Sequence, residues 1–203
     1  MDGSSLPFVN AINKIGIVDQ SEIQDVFKIT EPIQLDDLDN DIEISILPAE
    51  RFKITFFMDY GLPNFGLQYV SIEDNESEFE KEVAPSRTVG LLSEVSRLKQ
   101  NGLIKGGGLN NAVIIVDKKV DEDEQNILSK LFGLNKEIIF NNGEILNSEG
   151  LHFENEPVRH KVLDLIGDMS LFGKPIIGHI IATRSGHRTN IEFIRKLRRI
   201  VKS

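Results

Sequence analysis

The sequence contains no cysteine. This absence excludes disulfide bonds, thiolate zinc sites and a cysteine nucleophile. No apolar run approaches the roughly 20 residues that a membrane-spanning helix needs. The first residues are polar and lack the basic flank and apolar stretch of a signal peptide. We expect no membrane span. The lack of cysteine leaves the compartment undecided, and a reducing cytoplasm is the simplest expectation.

The net charge is −9, but the two signs are unevenly distributed along the chain. Residues 1–83 carry 18 acidic and 5 basic side chains, whereas residues 84–203 carry 14 acidic and 18 basic ones. An anionic ligand is therefore expected to meet the second part. A general affinity for nucleic acid is not expected, because an acidic protein gains nothing from counterion release.

The first half of the chain is rich in β-like runs. With 203 residues, the length indicates one domain, or one domain with a piece of another. Residues 7–16 predict a short helix that begins with Pro7 and ends at Gly16. Four apolar, β-branched runs follow, which we interpret as an antiparallel meander: Val26–Ile33, Asp41–Leu47, Phe52–Asp59 and Gly66–Ile72.

The second half mixes helices with strands. Helical spacing predicts helices over Ser86–Gln100, from Asp121 to Gly133, over Pro157–Asp168 and from Asn190, which we expect to cap the last one. Apolar runs predict strands at Ala112–Val116, Glu137–Phe140 and Ile176–Thr183. Strands followed by helices without a βαβ rhythm indicate an α+β fold. A basic cluster near the carboxyl end either complements the last helix terminus or binds phosphate: Arg195, Lys196, Arg198, Arg199 and Lys202.

One predicted helix carries a candidate metal-binding pair. His160 and Asp164 are four residues apart, so both project from one face, and Asp168 continues that line. An imidazole and a carboxylate suit two corners of a tetrahedral zinc site. The alternative is a surface His–Asp pair of small energetic value. Zinc also needs a third protein ligand, which cysteine cannot supply here.

Two further motifs allow two interpretations each. His187 follows Gly186 in a predicted turn, where a catalytic loop residue or an exposed turn histidine is expected. The glycines Gly106-Gly107-Gly108 lack the spacing of a phosphate-binding P-loop. They indicate either a β-bulge or a backbone that lies close to a ligand. His179 is most simply a strand side chain with a satisfied ring.

Several segments together resemble one known family. The sequence is similar to UDP-3-O-acyl-N-acetylglucosamine deacetylases, zinc amidohydrolases that catalyse the committed step of bacterial lipid A synthesis. The resemblance covers nearly the whole chain, and its most specific part runs from His160 to Asp168. The segments that carry it are Met1–Phe8, Ser86-Arg87-Thr88, Gly102–Gly107, Asn155–Asp168 and Ser185-Gly186-His187.

The resemblance implies a layered sheet-and-helix α+β sandwich with two similar domains. Residues 1–23 would be the closing segment of the first domain and a linker, and residues 24–203 a nearly complete second domain. A strand–helix–strand insertion at about 112–140 would form a tunnel for the acyl chain of the substrate. The residues that fall where this tunnel is lined are Leu92, Val95, Ile104, Gly108 and Ile114.

The resemblance also implies a reaction centre. His160 and Asp164 would hold Zn²⁺ together with a histidine from the first domain. Thr88 would donate a hydrogen bond to the developing oxyanion. His187, kept cationic and oriented by Asp168, would stabilise that charge and protonate the leaving amine.

Other implied features concern the substrate and the extent of the protein. Lys161 and Arg184 would meet the diphosphate of the UDP-sugar, whereas Val89 replaces the aromatic residue usual in the family. The family's other zinc histidine and its general-base glutamate lie upstream of Met1, so we expect a fragment that is inactive alone. The alternative is a non-catalytic acyl-UDP-sugar-binding domain or partner subunit. Residues 181–184 resemble the branch in which a 3-hydroxyacyl-acyl-carrier-protein dehydratase is fused to the deacetylase.

Overall fold

A computed structural model describes residues 3–63, 65–73, 76–103, 109, 111–133, 143–147 and 149–202. The elements of the first half are α1 (Leu6–Ile15), β1 (Phe27–Lys28), β2 (Ile33–Asp37), β3 (Ile42–Leu47), β4 (Lys53–Leu62), β5 (Phe65–Glu73) and α2 (Glu76–Glu78), which continues into a π-helical turn (Phe79–Val83). The second half contains β6 (Val89–Leu91), α3 (Leu92–Gln100), β7 (Val113–Ile115), α4 (Glu122–Phe132), α5 (Glu156–Ser170), β8 (Ile176–Ile177), β9 (His179–Thr183) and α6 (His187–Lys202).

The main sheet has the strand order β2-β3-β9-β4-β5. Strand β9 lies between β3 and β4, with Ala182 opposite Ile44 on the antiparallel side and opposite Phe56 on the parallel side. The predicted antiparallel meander is therefore wrong at its centre. Strands β3 and β4 are neighbours in sequence, but a strand from near the end of the chain separates them.

The core lies between one face of this sheet and two helices. Inward side chains of β3, β4 and β9 alternate with more exposed ones, so Ile46, Phe56 and Ile180 are fully buried. Helix α5 packs on β4 and β5, and α6 packs on β2 and β3. Their buried residues, including Leu165 and Phe193, complete the same apolar cluster. The predicted α+β, sheet-and-helix layered fold is confirmed.

Several predicted element boundaries were wrong. The run Val26–Ile33 does not form one strand, because Phe27–Lys28 pairs with β8 in a separate two-stranded sheet and Ile33 opens β2. The predicted helix Ser86–Gln100 begins only at Leu92, since Val89–Leu91 pairs in parallel with β7. The predicted strand Ile176–Thr183 is interrupted at Gly178.

A second, smaller apolar cluster surrounds β7 and α4. Asp121 caps α4 as expected, because its carboxylate accepts a hydrogen bond from the Glu124 backbone N–H at 2.8 Å. The helix ends at Gly133 in the left-handed conformation. The predicted strand Glu137–Phe140 lies outside the described residues, so the outline of the insertion at about 112–140 stays a prediction.

Helix α1 and the segment after it present apolar side chains to solvent. No residue of α1 is buried, and Phe8, Ile12 and Ile15 are all more than half exposed. The division of the chain at residue 23 stays a prediction. Within the described ranges, none of the helices is long and apolar enough to cross a membrane.

Gly178 provides a test of the core packing. A Cβ atom at this position would lie 2.8 Å from Ile29 Cγ1 and 3.1 Å from both Ile46 Cγ1 and the Leu47 carbonyl oxygen. We expect Gly178→Ala to lower the free energy of unfolding by about 1–3 kcal/mol, because a filled core resists added atoms. Urea denaturation measures this change. Gly66→Ala is the control, since no atom lies within 4 Å of its added Cβ, and equal losses for both variants would contradict the prediction.

Candidate functional site

Helix α5 presents a row of polar side chains, His160, Asp164 and Asp168, which we call the donor face. Successive members are four residues apart, and 3.6 residues per turn place them one above another. His160 Nε2 lies 3.3 Å from Asp164 Oδ1. The opposite side of the helix, with Val158, Val162 and Leu165, is buried in the core. Core packing therefore fixes the direction in which the donor face points.

The ring of His160 is oriented by the segment that precedes β6. Its Nδ1 lies 3.2 Å from the Ser86 carbonyl oxygen. A carbonyl can only accept a hydrogen bond, so Nδ1 carries a proton. Nε2, which faces Asp164, is then the ring nitrogen that a metal would bind in place of its contact with Asp164. A backbone carbonyl behind a metal-binding histidine is a common orienting partner.

Asp164 is an acidic carboxyl in partly buried surroundings. Burial raises the pKa of Asp164, but the hydrogen bond with His160 and the charges of His160, Lys161 and His187 outweigh burial and hold that pKa below its ordinary value. Lys161 Nζ lies 3.6 Å from Asp164 Oδ2. The carboxylate form, which a cation requires as a ligand, is therefore favoured.

The third member of the donor face holds a second histidine. His187 is the first residue of α6, and its Nδ1 donates a hydrogen bond of 2.8 Å to Asp168 Oδ2. Its Nε2 lies 3.9 Å from Asp164 Oδ1. The prediction that Asn190 caps α6 is wrong, because the helix begins three residues earlier, at His187. Instead, Asn190 Nδ2 donates to the same Asp168 oxygen at 2.8 Å.

Thr88 lies at the edge of the two-stranded sheet formed by β6 and β7. Its carbonyl oxygen accepts a hydrogen bond of 2.7 Å from the Val113 N–H. The preceding residue, Arg87, is buried and paired with Glu156 at the start of α5. Glu156 lies one turn before His160, so this pair connects the Thr88 segment to the donor face.

The donor set fits part of a zinc site. An imidazole nitrogen and a carboxylate oxygen on one helix face are suitable zinc ligands. No group of three or more His, Cys, Asp or Glu side chains that could hold a metal occurs among the residues the structure describes. His160 and Asp164 thus offer two side chains of the kind that bind zinc, and their role as zinc ligands stays a prediction.

The two residues expected at a diphosphate lie on different elements. Lys161 follows His160 on α5 and faces Asp164. Arg184 follows β9 in the left-handed conformation, with φ of 54°. Its Nη1 lies 3.9 Å from Asp41 Oδ2. Their roles as phosphate-binding residues stay predictions.

Two residues of the basic cluster on α6 contact backbone carbonyls of other segments. Lys196 donates to the Gln34 carbonyl and Arg198 to the Leu171 carbonyl. These contacts test neither interpretation of the cluster, so complementarity to the helix terminus and phosphate binding both stay predictions.

Three of the five predicted tunnel residues lie together. Leu92, Val95 and Ile114 are buried in the smaller apolar cluster. Ile104 and Gly108 lie outside the described residues. Sequence reasoning missed Gly90, where a Cβ would stand 2.9 Å from Val95 Cγ2 and 3.6 Å from Ile114 Cδ1. The only sequence signal for Gly90 was its position two residues after Thr88.

Tyr60 was also missed. It lies near the end of β4, and its buried hydroxyl has no hydrogen-bond partner among the described residues. Burial, and next the negative charge of Asp164, raise the pKa of Tyr60. The Tyr60 phenol is therefore neutral, and its hydroxyl keeps a hydrogen that it can donate. One tyrosine in a β-run gave no sequence signal for this.

A comparison with protein families places these residues in a known context. The model of the family described as UDP-3-O-acyl N-acetylglycosamine deacetylase matches residues 1–132 and 124–199. Together the two matches cover nearly all of the chain and include every residue of the donor face.

Curated relatives match at similar levels. The bifunctional enzyme LpxC/FabZ of Chlorobaculum tepidum is 39% identical over 200 residues, which are 98% of this chain and 43% of the relative. The UDP-3-O-acyl-N-acetylglucosamine deacetylase of Syntrophotalea carbinolica is 38% identical over 97% of this chain and 55% of its own. The bifunctional enzyme LpxC/FabZ of Porphyromonas gingivalis is 35% identical over 100% of this chain and 43% of its own length. The chain spans about half the length of the curated relatives it matches.

Proposed function

Because this chain belongs to the UDP-3-O-acyl N-acetylglycosamine deacetylase family, we propose that the full-length protein containing it deacetylates a UDP-3-O-acyl-N-acetylglucosamine and releases acetate. The reaction would be the committed step of lipid A biosynthesis. The observation that carries the proposal is the donor face of α5 with His187 placed against it.

Zinc is the proposed cofactor. His160 Nε2 and Asp164 would hold it, with the remaining protein ligand supplied from outside the described residues. When bound, the zinc ion acts as a Lewis acid toward the acetamide carbonyl and activates water near neutral pH.

The residues of this chain would handle charge and protons. The reaction adds the oxygen of water to the acetamide carbon, breaks the C–N bond and places a proton on the departing nitrogen. The Thr88 hydroxyl would donate a hydrogen bond to the carbonyl oxygen as it gains negative charge. His187, held by Asp168 through Nδ1, would deliver the proton from Nε2 to the amine.

Other residues would hold the substrate. Lys161 and Arg184 would contact the diphosphate, in agreement with the excess of basic residues after position 83. The small apolar cluster around Leu92, Val95 and Ile114 would receive the acyl chain. The Tyr60 hydroxyl would supply a hydrogen bond to the sugar nucleotide.

A second candidate function is binding without catalysis. Fewer than three metal ligands come together within the described part of the chain. A domain of this kind, or a partner subunit, would bind the acyl-UDP-sugar and turn nothing over. The relatives named bifunctional enzymes support a separate prediction, that a dehydratase is fused to this chain.

The test is acetate release by the purified full-length protein. We expect it to convert UDP-3-O-acyl-N-acetylglucosamine to the free amine, measured by mass spectrometry. Activity should be lost on treatment with dipicolinate and return when stoichiometric Zn²⁺ is added to the dialysed protein. Calorimetric binding of the substrate with no amine formed, with or without zinc, would replace the enzyme proposal by the binding one.

A further inference from the structure

Glu156 is the first residue of α5, and its carboxylate is completely buried. Four donors surround its two oxygens. Oε1 accepts the backbone N–H and Nε of Arg87, both at 2.9 Å. Oε2 accepts Arg87 Nη2 at 2.9 Å and the His152 backbone N–H at 2.6 Å. The guanidinium also donates to the Gly150 carbonyl at 2.7 Å.

A buried pair of this kind is not explained by stability alone. Removing two charges from water costs about as much as their attraction returns, so such pairs often stabilise no better than apolar residues. What the pair does provide is geometry, because a bidentate guanidinium–carboxylate contact fixes distance and orientation. Here the backbone N–H of Arg87 joins the contact, so the main chain at residue 87 is attached directly to α5.

The attached segment belongs to the proposed reaction centre. Thr88 follows Arg87, and the Ser86 carbonyl on the other side contacts His160 Nδ1 at 3.2 Å. Glu156 and His160 lie one helical turn apart, so residues 86–88 are attached to α5 at two successive turns. Gly3 lies close to Thr88, because a Cβ at position 3 would stand 2.9 Å from Thr88 Cγ2.

We propose that Arg87 and Glu156 are positioning residues that set the place of the Thr88 hydroxyl and of the His160 ring relative to each other. This inference rests on the proposed function. Both side chains are buried and bonded to each other and to backbone groups, so neither would touch substrate or metal. Both act through the backbone of residues 86–88. This segment carries the Thr88 hydroxyl, which would donate to the substrate carbonyl oxygen, and the Ser86 carbonyl, which orients the His160 ring.

The test uses Glu156→Gln and Arg87→Lys in the full-length protein. Loss of an outer partner of a metal site typically costs roughly 10- to 100-fold in affinity or activity. We expect zinc affinity, measured by competition with a chelator, and kcat each to fall by about that factor. KM should stay within about twofold, because Thr88 acts in the transition state. Arg87→Lys keeps a cation beside Glu156, so it stays testable where Glu156→Gln fails to fold.

The matched control is Glu82→Gln. Glu82 also pairs with an arginine of α5, Arg159, with Oε2 to Nη1 at 2.5 Å, and this pair does not involve the backbone of residues 86–88. It should lose stability without losing zinc affinity or kcat. Folded Glu156→Gln or Arg87→Lys protein with wild-type kcat and zinc affinity would overturn the positioning role alone. A wild-type protein without zinc-dependent acetate release would instead overturn the proposed function.

Discussion

Replacing Asp164 with alanine should remove zinc from the full-length protein and abolish acetate release. His160→Ala should do the same. Each variant deletes one of the two proposed ligands on α5, whose side chains lie 3.3 Å apart. Loss of an outer partner already costs roughly 10- to 100-fold in affinity, so loss of a ligand should exceed that range. The fold should persist, since neither side chain belongs to the apolar core.

Metal content per chain after gel filtration, measured by plasma mass spectrometry, is the direct readout. Glu192→Gln is a matched control, because it removes another helical carboxylate with a cation four residues away, Arg188 at 3.5 Å. It should leave zinc and activity unchanged. Zinc bound at wild-type stoichiometry by both His160→Ala and Asp164→Ala would remove the ligand assignment.

The donor face could be predicted from the sequence because helix geometry is local. Once Pro157 indicates the start of a helix, residues four apart share a face regardless of what packs around it. The apolar residues Val162 and Leu165 then determine which side turns to the core. For the same reason the cap of α4 by Asp121 was predicted correctly: both partners lie within one turn.

Predictions failed where distant segments compete for the same position. Strand β9 occupies the place beside β4 that the meander gave to β3, and no local pattern in Phe52–Asp59 specifies its neighbour. Asn190 is a good capping residue by type, yet its amide is bonded to Asp168, 22 residues away. Tertiary contacts decided both cases.

The residues that surround the proposed site could not be predicted from the sequence either. Arg87 and Glu156 are 69 residues apart, and nothing in either local sequence indicates that they pair. Tyr60 lies near the end of a strand recognised by its apolar pattern, and only the folded structure shows that its hydroxyl is buried without a partner among the described residues. Residue spacing alone therefore predicted the candidate residues on one helix. Thr88 and His187, which lie on other segments, were expected from the family resemblance, and the pairing of Arg87 with Glu156 was expected from neither.

His187→Gln should lower kcat by roughly 10²–10⁴ while zinc stays bound, the range typical for loss of a general acid. Its Nδ1 is engaged by Asp168 at 2.8 Å, so Nε2 is the atom free to deliver a proton. The side chain is 68% exposed, so its replacement should change the free energy of unfolding little. KM should change much less than kcat, because the proton moves only as the C–N bond breaks.

The control for this variant is a histidine outside the site. His179 lies on β9 and its Nε2 is 2.8 Å from Thr55 Oγ1, so His179→Gln should leave kcat unchanged. The kcat of Asp168→Asn should lie between those of His187→Gln and His179→Gln, because the asparagine amide still contacts the His187 ring but no longer offers a carboxylate to Nδ1. Single-turnover rates of acetate release with zinc-loaded protein separate chemistry from product release. If His187→Gln cleaves at the wild-type rate, another group protonates the amine, and the pairing of Asp168 with His187 must serve folding instead.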